Sequence, residues 1–97
     1  MPTYISLIQY TDQGIKNVKD SPKRLDDGRK AFAQAGATLK EAYLVMGEYD
    51  LVVITEAPND ETVAKVSLAL GKLGNVRTRT MRAFTEAEFG KIVGSLP

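Results

Sequence analysis

Residues 38–57 have the sequence TLKEAYLVMGEYDLVVITEA, and this stretch decides the fold. It contains two runs that are rich in β-branched and aromatic residues, 38–46 and 49–57, separated by Gly47 and Glu48. Residues of these types favour strands. A two-residue spacer with a glycine, which adopts positive φ at little cost, predicts a tight hairpin turn. The two runs are therefore expected to be antiparallel neighbours in a sheet.

The segment before the hairpin predicts one strand and one helix. Residues 3–10 are rich in β-branched and aromatic residues, and the turn-forming cluster 11–14 ends the run. Ser21 is expected to cap a helix whose first residue is Pro22, because a serine oxygen accepts an unpaired amide hydrogen there. That helix should run to Gly36 and cover the sheet with its apolar side.

The segment after the hairpin predicts a second helix, a fourth strand and a short terminal helix. Asn59 can cap the second helix, which should stop at Gly74. Residues 76–84 alternate as a strand does, and Thr85 and Glu88 have the spacing of a capping box. The complete order, β-α-β-β-α-β plus a tail helix, predicts an α+β ferredoxin-like domain with a four-stranded antiparallel sheet, filling residues 1–97 as one unit.

Composition excludes several classes of function. The chain has 97 residues without Cys or His, which removes disulfides, the usual zinc ligands, thiolate nucleophiles and histidine acid–base chemistry. The net charge of +1 comes from 13 basic and 12 acidic residues, so no nucleic-acid partner is expected. No phosphate-binding glycine loop, metal site or cofactor is expected either. Without an apolar run of about 20 residues or a signal peptide, no membrane association is expected and a cytoplasmic location is the default.

The sheet itself predicts a dimer. In the second hairpin strand, Leu51 with Val53 and Val52 with Ile54 form apolar rows on opposite faces. In the first strand we expect Tyr4, Ile8 and Tyr10 on the face that the helices leave uncovered. Such an apolar face would drive association, and a two-fold pair of sheets, a dimeric α/β barrel, is the simplest closure. The space between the sheets could be a pocket for a small molecule or could be filled by side chains.

Gly47-Glu48-Tyr49-Asp50 resembles the signature of the GYD domain family, and further stretches extend the resemblance over nearly the whole chain. These stretches are Tyr10 to Ile15, Ser21 to Arg24, Gly47 to Val53, Glu56 to Pro58, and Gly74 to Phe84. The resemblance implies a ferredoxin-like fold and a dimeric α/β barrel, and it implies no particular reaction. Asn59 stands where the family commonly has an acidic residue, which argues against a metal site at that corner.

The hairpin and fourth strand are also similar, more distantly, to the effector-binding domain of the Lrp/AsnC transcription regulators. Those regulators carry a DNA-binding helix-turn-helix before this domain, and none is expected here, because the predicted domain begins at the first residues of the sequence. The similarity would therefore extend only to the sensing or assembly part of those proteins, and it is a similarity of fold.

Five polar residues are candidates for a ligand site: Tyr49, Asp50, Arg77, Arg79 and Tyr10. Tyr49 and Asp50 could orient a polar ligand or exchange a proton, although Gly47 and Asp50 could equally serve the turn alone. Arg77 and Arg79 should point to the dimer side. They could pair with carboxylates across strands or grip a carboxylate or phosphate with forked hydrogen bonds. For Tyr10, aromatic packing is the alternative.

These residues favour a homo-oligomeric module that binds a small anionic or aromatic ligand, or that serves assembly, with its pocket between paired sheets. One alternative is a cofactor-independent enzyme, similar to a monooxygenase or an isomerase, that acts on a small organic acid or an aromatic substrate. In that case Tyr49, Asp50 and Arg77 would move protons. Another alternative is a partner for other proteins that uses an exposed strand edge or the tail helix.

Overall fold

The structure, a computed structural model, describes residues 1–97. It has a four-stranded antiparallel sheet covered on one face by two main helices. The strands are β1 (Thr3–Tyr10), β2 (Thr38–Leu44), β3 (Leu51–Glu56) and β4 (Val76–Ala83), in the spatial order β2-β3-β1-β4. The helices are α1 (Asp12–Lys16), α2 (Ser21–Gln34), α3 (Asp60–Gly71) and α4 (Glu86–Gly94), with a 3-10 turn at Val18–Asp20. The predicted α+β ferredoxin-like arrangement is confirmed.

The hydrophobic core lies between the sheet and the helices α2 and α3. Phe32 of α2 and Val63 and Val66 of α3 are at most 5% exposed and pack on Tyr4 and Val53 of the central strands. Apolar residues at helical spacing meet alternate residues of the strands in this layer, as the sequence pattern predicts. The opposite face of the sheet has no helix over it.

The hairpin between β2 and β3 is wider than the predicted two-residue turn. The strands end at Leu44 and begin again at Leu51, and Gly47 adopts the predicted positive φ of 111°. The amide of Val45 donates to the carbonyl of Asp50 at 2.9 Å, which closes the loop. The amide of Asp50 donates to Ile8 of β1, and the β2–β3 ladder ends at the pair Leu44 and Leu51. The prediction of a two-residue turn is therefore wrong.

The segment between β1 and α2 differs from the prediction at two points. Residues 11–14, expected to be a turn, begin the short helix α1, whose cap is Thr11: its hydroxyl accepts from the amide of Gly14 at 3.1 Å. Ser21 does not cap α2, because its backbone is already helical and a cap residue needs an extended backbone. Its hydroxyl instead shares a hydrogen bond of 2.6 Å with that of Tyr10.

The caps of the last two helices are as predicted. Asn59 accepts from the amide of Thr62 at 2.9 Å, and Thr85 with Glu88 forms a complete capping box. Helix α4 buries none of its apolar side chains: Phe89 is 60% exposed and Val93 is 49% exposed. This helix therefore extends beyond the core of the isolated chain.

The two faces of β1 are the reverse of the expectation. Tyr4 and Ile8 belong to the helix-covered core, and Tyr10 reaches α2 through its hydroxyl, so none of the three lies on the uncovered face. The uncovered face of β1 carries Ile5 and Leu7 instead. Both sets are apolar, and the sequence pattern alone did not say which one the helices cover.

Candidate functional site

Asp50, the last residue of the Gly-Glu-Tyr-Asp signature, joins the hairpin to β1. Its backbone amide donates to the carbonyl of Ile8 at 2.9 Å, and its carboxylate accepts from the amide of Tyr10 at 2.8 Å. Its own carbonyl accepts from Val45. One residue thus ties the ends of β1, β2 and β3 together, which is the purely structural role that the sequence also allowed for Asp50.

Tyr10 and Tyr49, two of the predicted ligand-site residues, lie in different parts of the structure: Tyr10 in β1 and Tyr49 in the hairpin loop. The side chain of Tyr10 lies on the helix side, with its hydroxyl at 2.6 Å from that of Ser21. Tyr49 is half-buried next to Asp50 in the hairpin loop. The structure therefore brings Asp50 and Tyr10 into contact through the backbone of Tyr10, while the Tyr10 hydroxyl is directed away from the uncovered face.

We call the sheet surface opposite the helices the open face. Its centre is apolar: Ile5 and Leu7 of β1 and Val52 and Ile54 of β3 lie there in cross-strand pairs and are half-buried, with Met81 of β4 beside them at 47% exposed. Contiguous apolar patches on small domains are a common feature of interaction surfaces.

One end of the open face is polar and basic. Arg79 is paired with Leu7 in the register, Arg77 is paired with Gln9, and both arginines are exposed. The side-chain amide of Gln9 donates to the carbonyl of Glu48 at 2.9 Å, so the hairpin loop is fixed to this same end. Both arginines point away from the helices, as predicted.

Neither arginine has an ion-pair partner within the chain. The ion pairs of the chain join Arg29 to Asp26, Lys40 to Glu56 and Arg82 to Glu88. The predicted alternative, in which Arg77 and Arg79 are neutralised by carboxylates across strands, is therefore not realised in the single chain. Two adjacent guanidinium groups remain available to an anion from outside it.

A groove of about 550 Å³ along the outer edge of β4 adds a third cation. Arg77, Arg79, Lys72 and Gln9 line it, together with Ser67, Leu68 and Gly71 of α3. Sequence reasoning missed Lys72, which follows the last residue of α3. Its position between α3 and β4 could have indicated this, because a segment that connects a helix to an edge strand lies beside that strand.

A second polar cluster lies at the opposite end of the sheet. The buried hydroxyl of Tyr4 donates a short hydrogen bond to the carboxylate of Asp60 in the first turn of α3. That hydrogen bond, together with burial and the charge of Asp60, raises the pKa of Tyr4, because each of them favours the protonated hydroxyl. The guanidinium of Arg82 lies 4.4 Å from the ring centre of Phe84 and 5.9 Å from that of Tyr4. These aromatic contacts add to the Arg82–Glu88 ion pair, and the cluster joins β1, β4 and α3.

The family model described as the GYD domain matches residues 4–93. The chain belongs to the GYD domain family. Among curated proteins, this GYD chain is 34% identical over 89 residues to the glutamine synthetase and cystathionine beta-lyase binding protein of Thermus thermophilus. The alignment covers 91% of this chain and 94% of that protein.

Solved structures give the same assignment of fold. TTHA0845 from Thermus thermophilus is 28% identical, with a TM-score of 0.56, over 87% of this GYD chain and 94% of its own. A feast or famine regulatory protein from M. tuberculosis, solved with L-methionine, has a TM-score of 0.66 at 19% identity. The alignment covers 88% of this chain and 51% of the regulator, so the chain spans about half the regulator's length. The predicted similarity of fold to Lrp/AsnC regulators is confirmed.

The structure also bears on metals and membranes. No three His, Cys, Asp or Glu side chains converge in a way that could hold a metal ion. None of the helices has the length and apolar character needed to cross a bilayer.

Proposed function

We propose that this GYD chain is a homodimeric binding module whose two open faces pack together and leave a site for a small anionic ligand at their basic end. The observation that carries the proposal is the apolar open face that ends in two arginines without ion pairs, Arg77 and Arg79. The homo-oligomeric state and the ligand both belong to this proposal.

The apolar centre of the open face supports pairing with a second copy. Ile5, Leu7, Val52 and Ile54 form two apolar cross-strand pairs on the central strands, and sheets commonly pack face to face at about 10 Å. A two-fold axis parallel to the strands would set β4 of each copy over β2 of the other. The arginine-bearing edges would then lie on opposite sides of the interface, so that their like charges stay apart.

The basic end supports an anionic ligand. Arg77 and Arg79 are exposed on adjacent positions of one strand face, and Lys72 lies in the same groove. Guanidinium groups bind carboxylates through paired hydrogen bonds, and they do so best where apolar surface nearby limits competition from water. In this arrangement Asp50 holds the hairpin in place, and Tyr49 is the aromatic group next to it.

A protein partner is the second candidate, and it is favoured by one comparison. The Thermus thermophilus relative, which aligns over almost its whole length, is named for binding glutamine synthetase and cystathionine beta-lyase. A related role here would use the same exposed basic edge or the apolar side of α4. The enzyme alternative has less support, because the carboxylate of Asp50 already accepts a hydrogen bond from Tyr10.

Oligomeric state tests the first half of the proposal. Light scattering coupled to gel filtration should give twice the chain mass for the native protein. Ile5→Lys, which places a charge in the centre of the open face, should give the mass of one chain. Ile15→Lys is the matched control, because Ile15 is 50% exposed on α1 and away from the open face. A native protein that stays monomeric at micromolar concentration would overturn the proposal.

Calorimetric titration tests the ligand. Benzoate, a small aromatic anion, should bind the native protein, and benzyl alcohol, its uncharged analogue, should bind far less. Arg77→Gln with Arg79→Gln should abolish benzoate binding, whereas Arg29→Gln, which removes an exposed arginine of α2, should leave it unchanged. If the variant with Arg77→Gln and Arg79→Gln binds benzoate as well as the Arg29→Gln variant does, the basic end is not the site.

Mixing the protein with purified glutamine synthetase and cystathionine beta-lyase in gel filtration tests the second candidate function, the binding of a protein partner.

A further inference from the structure

A second, different space lies on the helix side of the sheet. It is a cavity of about 130 Å³ between the central strands and the helices α2 and α3. Ile8 and Val53 form part of its floor, and Leu25, Phe32 and Leu70 form part of its roof. Protein interiors are packed as densely as organic crystals, and voids larger than a water molecule are few. A cavity of this size in the core of a 97-residue domain is therefore a distinct feature of the molecule.

Small residues at facing positions create the cavity. Gly28 lies in the middle of α2 on its buried side, Ser67 lies on α3, and Ser6 lies on β1; all three line the space. A methyl group on Gly28 would meet only one atom, the Cδ1 of Leu70, at 3.7 Å. Glycine in a helix interior weakens the helix relative to alanine. Here it leaves space that a larger side chain would fill.

The wall of the cavity offers little to a charged ligand. The hydroxyl of Ser6 is bonded to that of Thr80 at 2.9 Å, so it is already satisfied. The guanidinium of Arg24, at the margin, donates to the carbonyls of Asn17 and Gly14 at 2.9 and 3.2 Å. Most of the remaining wall is apolar side chain. Because burying a charge without a partner is costly, this space suits an uncharged molecule.

A route to the cavity exists between α2 and the turn after α3. Two of the lining residues, Asp27 on α2 and Leu73 in that turn, are exposed to solvent, Leu73 to 60%. Residues that both line the space and face the solvent mark its mouth. A ligand could enter there without any opening of the sheet.

We propose that this cavity is a binding site for a small uncharged apolar molecule of about the size of a benzene ring. An engineered apolar cavity of about 150 Å³ in another protein stays dry and binds benzene or xenon, which sets the scale for a space of this volume and lining. The site lies on the opposite side of the sheet from Arg77 and Arg79. It therefore differs in place and in ligand chemistry from the anion site proposed above.

Benzene titration of isotope-labelled full-length protein, followed by NMR, tests the proposal. We expect saturable shifts of the methyl signals of Ile8, Val53 and Leu70, and a rise in melting temperature. Gly28→Leu, which fills the cavity from α2, should abolish both effects. Gly90→Leu is the matched control, because Gly90 lies in a helix with no atom within 4 Å of an added Cβ. It should bind benzene as the native protein does.

Two additions keep the test decisive. If circular dichroism shows that Gly28→Leu does not fold, Ser67→Leu fills the same space from α3 and should abolish the shifts. The monomeric variant Ile5→Lys should still bind benzene, because the cavity lies within one chain, so the result does not depend on dimerisation. Absence of saturable shifts in the native protein, or shifts confined to Leu7 and Val52 on the open face, would overturn the proposal.

Discussion

Replacement of Gly14 by alanine tests how α1 is attached to the rest of the fold. An added Cβ at Gly14 would lie 1.9 Å from the carbonyl oxygen of Asn75, in the turn between α3 and β4. The oxygen would have to move by about 1.5 Å to restore ordinary van der Waals contact. That same oxygen accepts from the amide of Thr11 at 3.1 Å, and the hydroxyl of Thr11 donates to the carbonyl of Gly74 at 2.5 Å. The substitution therefore separates two backbones that are bonded to each other.

The expected loss of stability follows from these contacts. Overpacking against backbone costs about 1–3 kcal/mol, and the strained hydrogen bond costs about 1 kcal/mol more. The gain in helix propensity from glycine to alanine, about 1 kcal/mol, offsets part of this. We expect Gly14→Ala to lower the free energy of unfolding by about 2 kcal/mol. For a domain of this size that corresponds to a fall in melting temperature of roughly 10 °C.

Urea unfolding at fixed protein concentration, followed by circular dichroism, measures the effect. Gly71→Ala is the matched control, since Gly71 ends α3 and an added Cβ there meets no atom within 4 Å. It should be neutral or stabilising by up to about 1 kcal/mol. If Gly14→Ala is as stable as Gly71→Ala, then α1 does not pack against the α3–β4 turn as the structure describes.

Substitutions at three further positions have defined outcomes. Thr55→Val should raise the free energy of unfolding by about 1 kcal/mol in urea titration, because the hydroxyl of Thr55 is fully buried without a partner. Thr55→Ser keeps the hydroxyl and loses a methyl group, so it should lower the free energy of unfolding. Asp50→Ala should cost about 1–2 kcal/mol, since the amide of Tyr10 loses its acceptor, whereas Asp50→Asn keeps an acceptor and should cost less; equal losses would contradict this role. Hydrogen bonding from the amide of Thr85 lowers the pKa of Glu88 in the folded protein. The stabilisation that this cap gives to α4 is therefore fully present above the pKa of unfolded Glu, about 4.3. It is lost as the pH falls through the lower pKa of the folded state. The NMR signals of α4 should therefore shift toward coil values below about pH 4, and Glu88→Gln should remove that pH dependence.

The order of the four strands and of the helices α2, α3 and α4 could be predicted from local signals, whereas the short helix α1 was expected to be a turn. The Asn59 cap, the Thr85 and Glu88 capping box and the alternation of β4 act between near neighbours in sequence. The positive φ of Gly47 is a property of that residue type in a turn. These features needed no knowledge of distant contacts, and the structure confirms them.

Three of the errors share one cause, which is contact between residues that are not neighbours in sequence; the missed helix α1, with its local Thr11 cap, does not. Ser21 bonds to Tyr10 rather than capping α2, and Asp50 bonds to β1, which widens the hairpin. The choice between the two apolar faces of β1 depended on which one α2 and α3 cover, and both faces satisfied the sequence pattern. In the candidate site, the orientation of Arg77 and Arg79 followed from strand alternation. Their lack of ion pairs could be seen only once the sheet was assembled.

The three-strand junction at Asp50 also affects what family membership can predict. The residue that ends the family signature holds strand ends together through its amide, its carbonyl and its carboxylate. The architecture needs a residue in this role whatever ligand or partner the surface binds. The motif therefore identifies a scaffold, and the exposed surfaces outside this junction, the basic strand edge and the terminal helix, are not constrained by it.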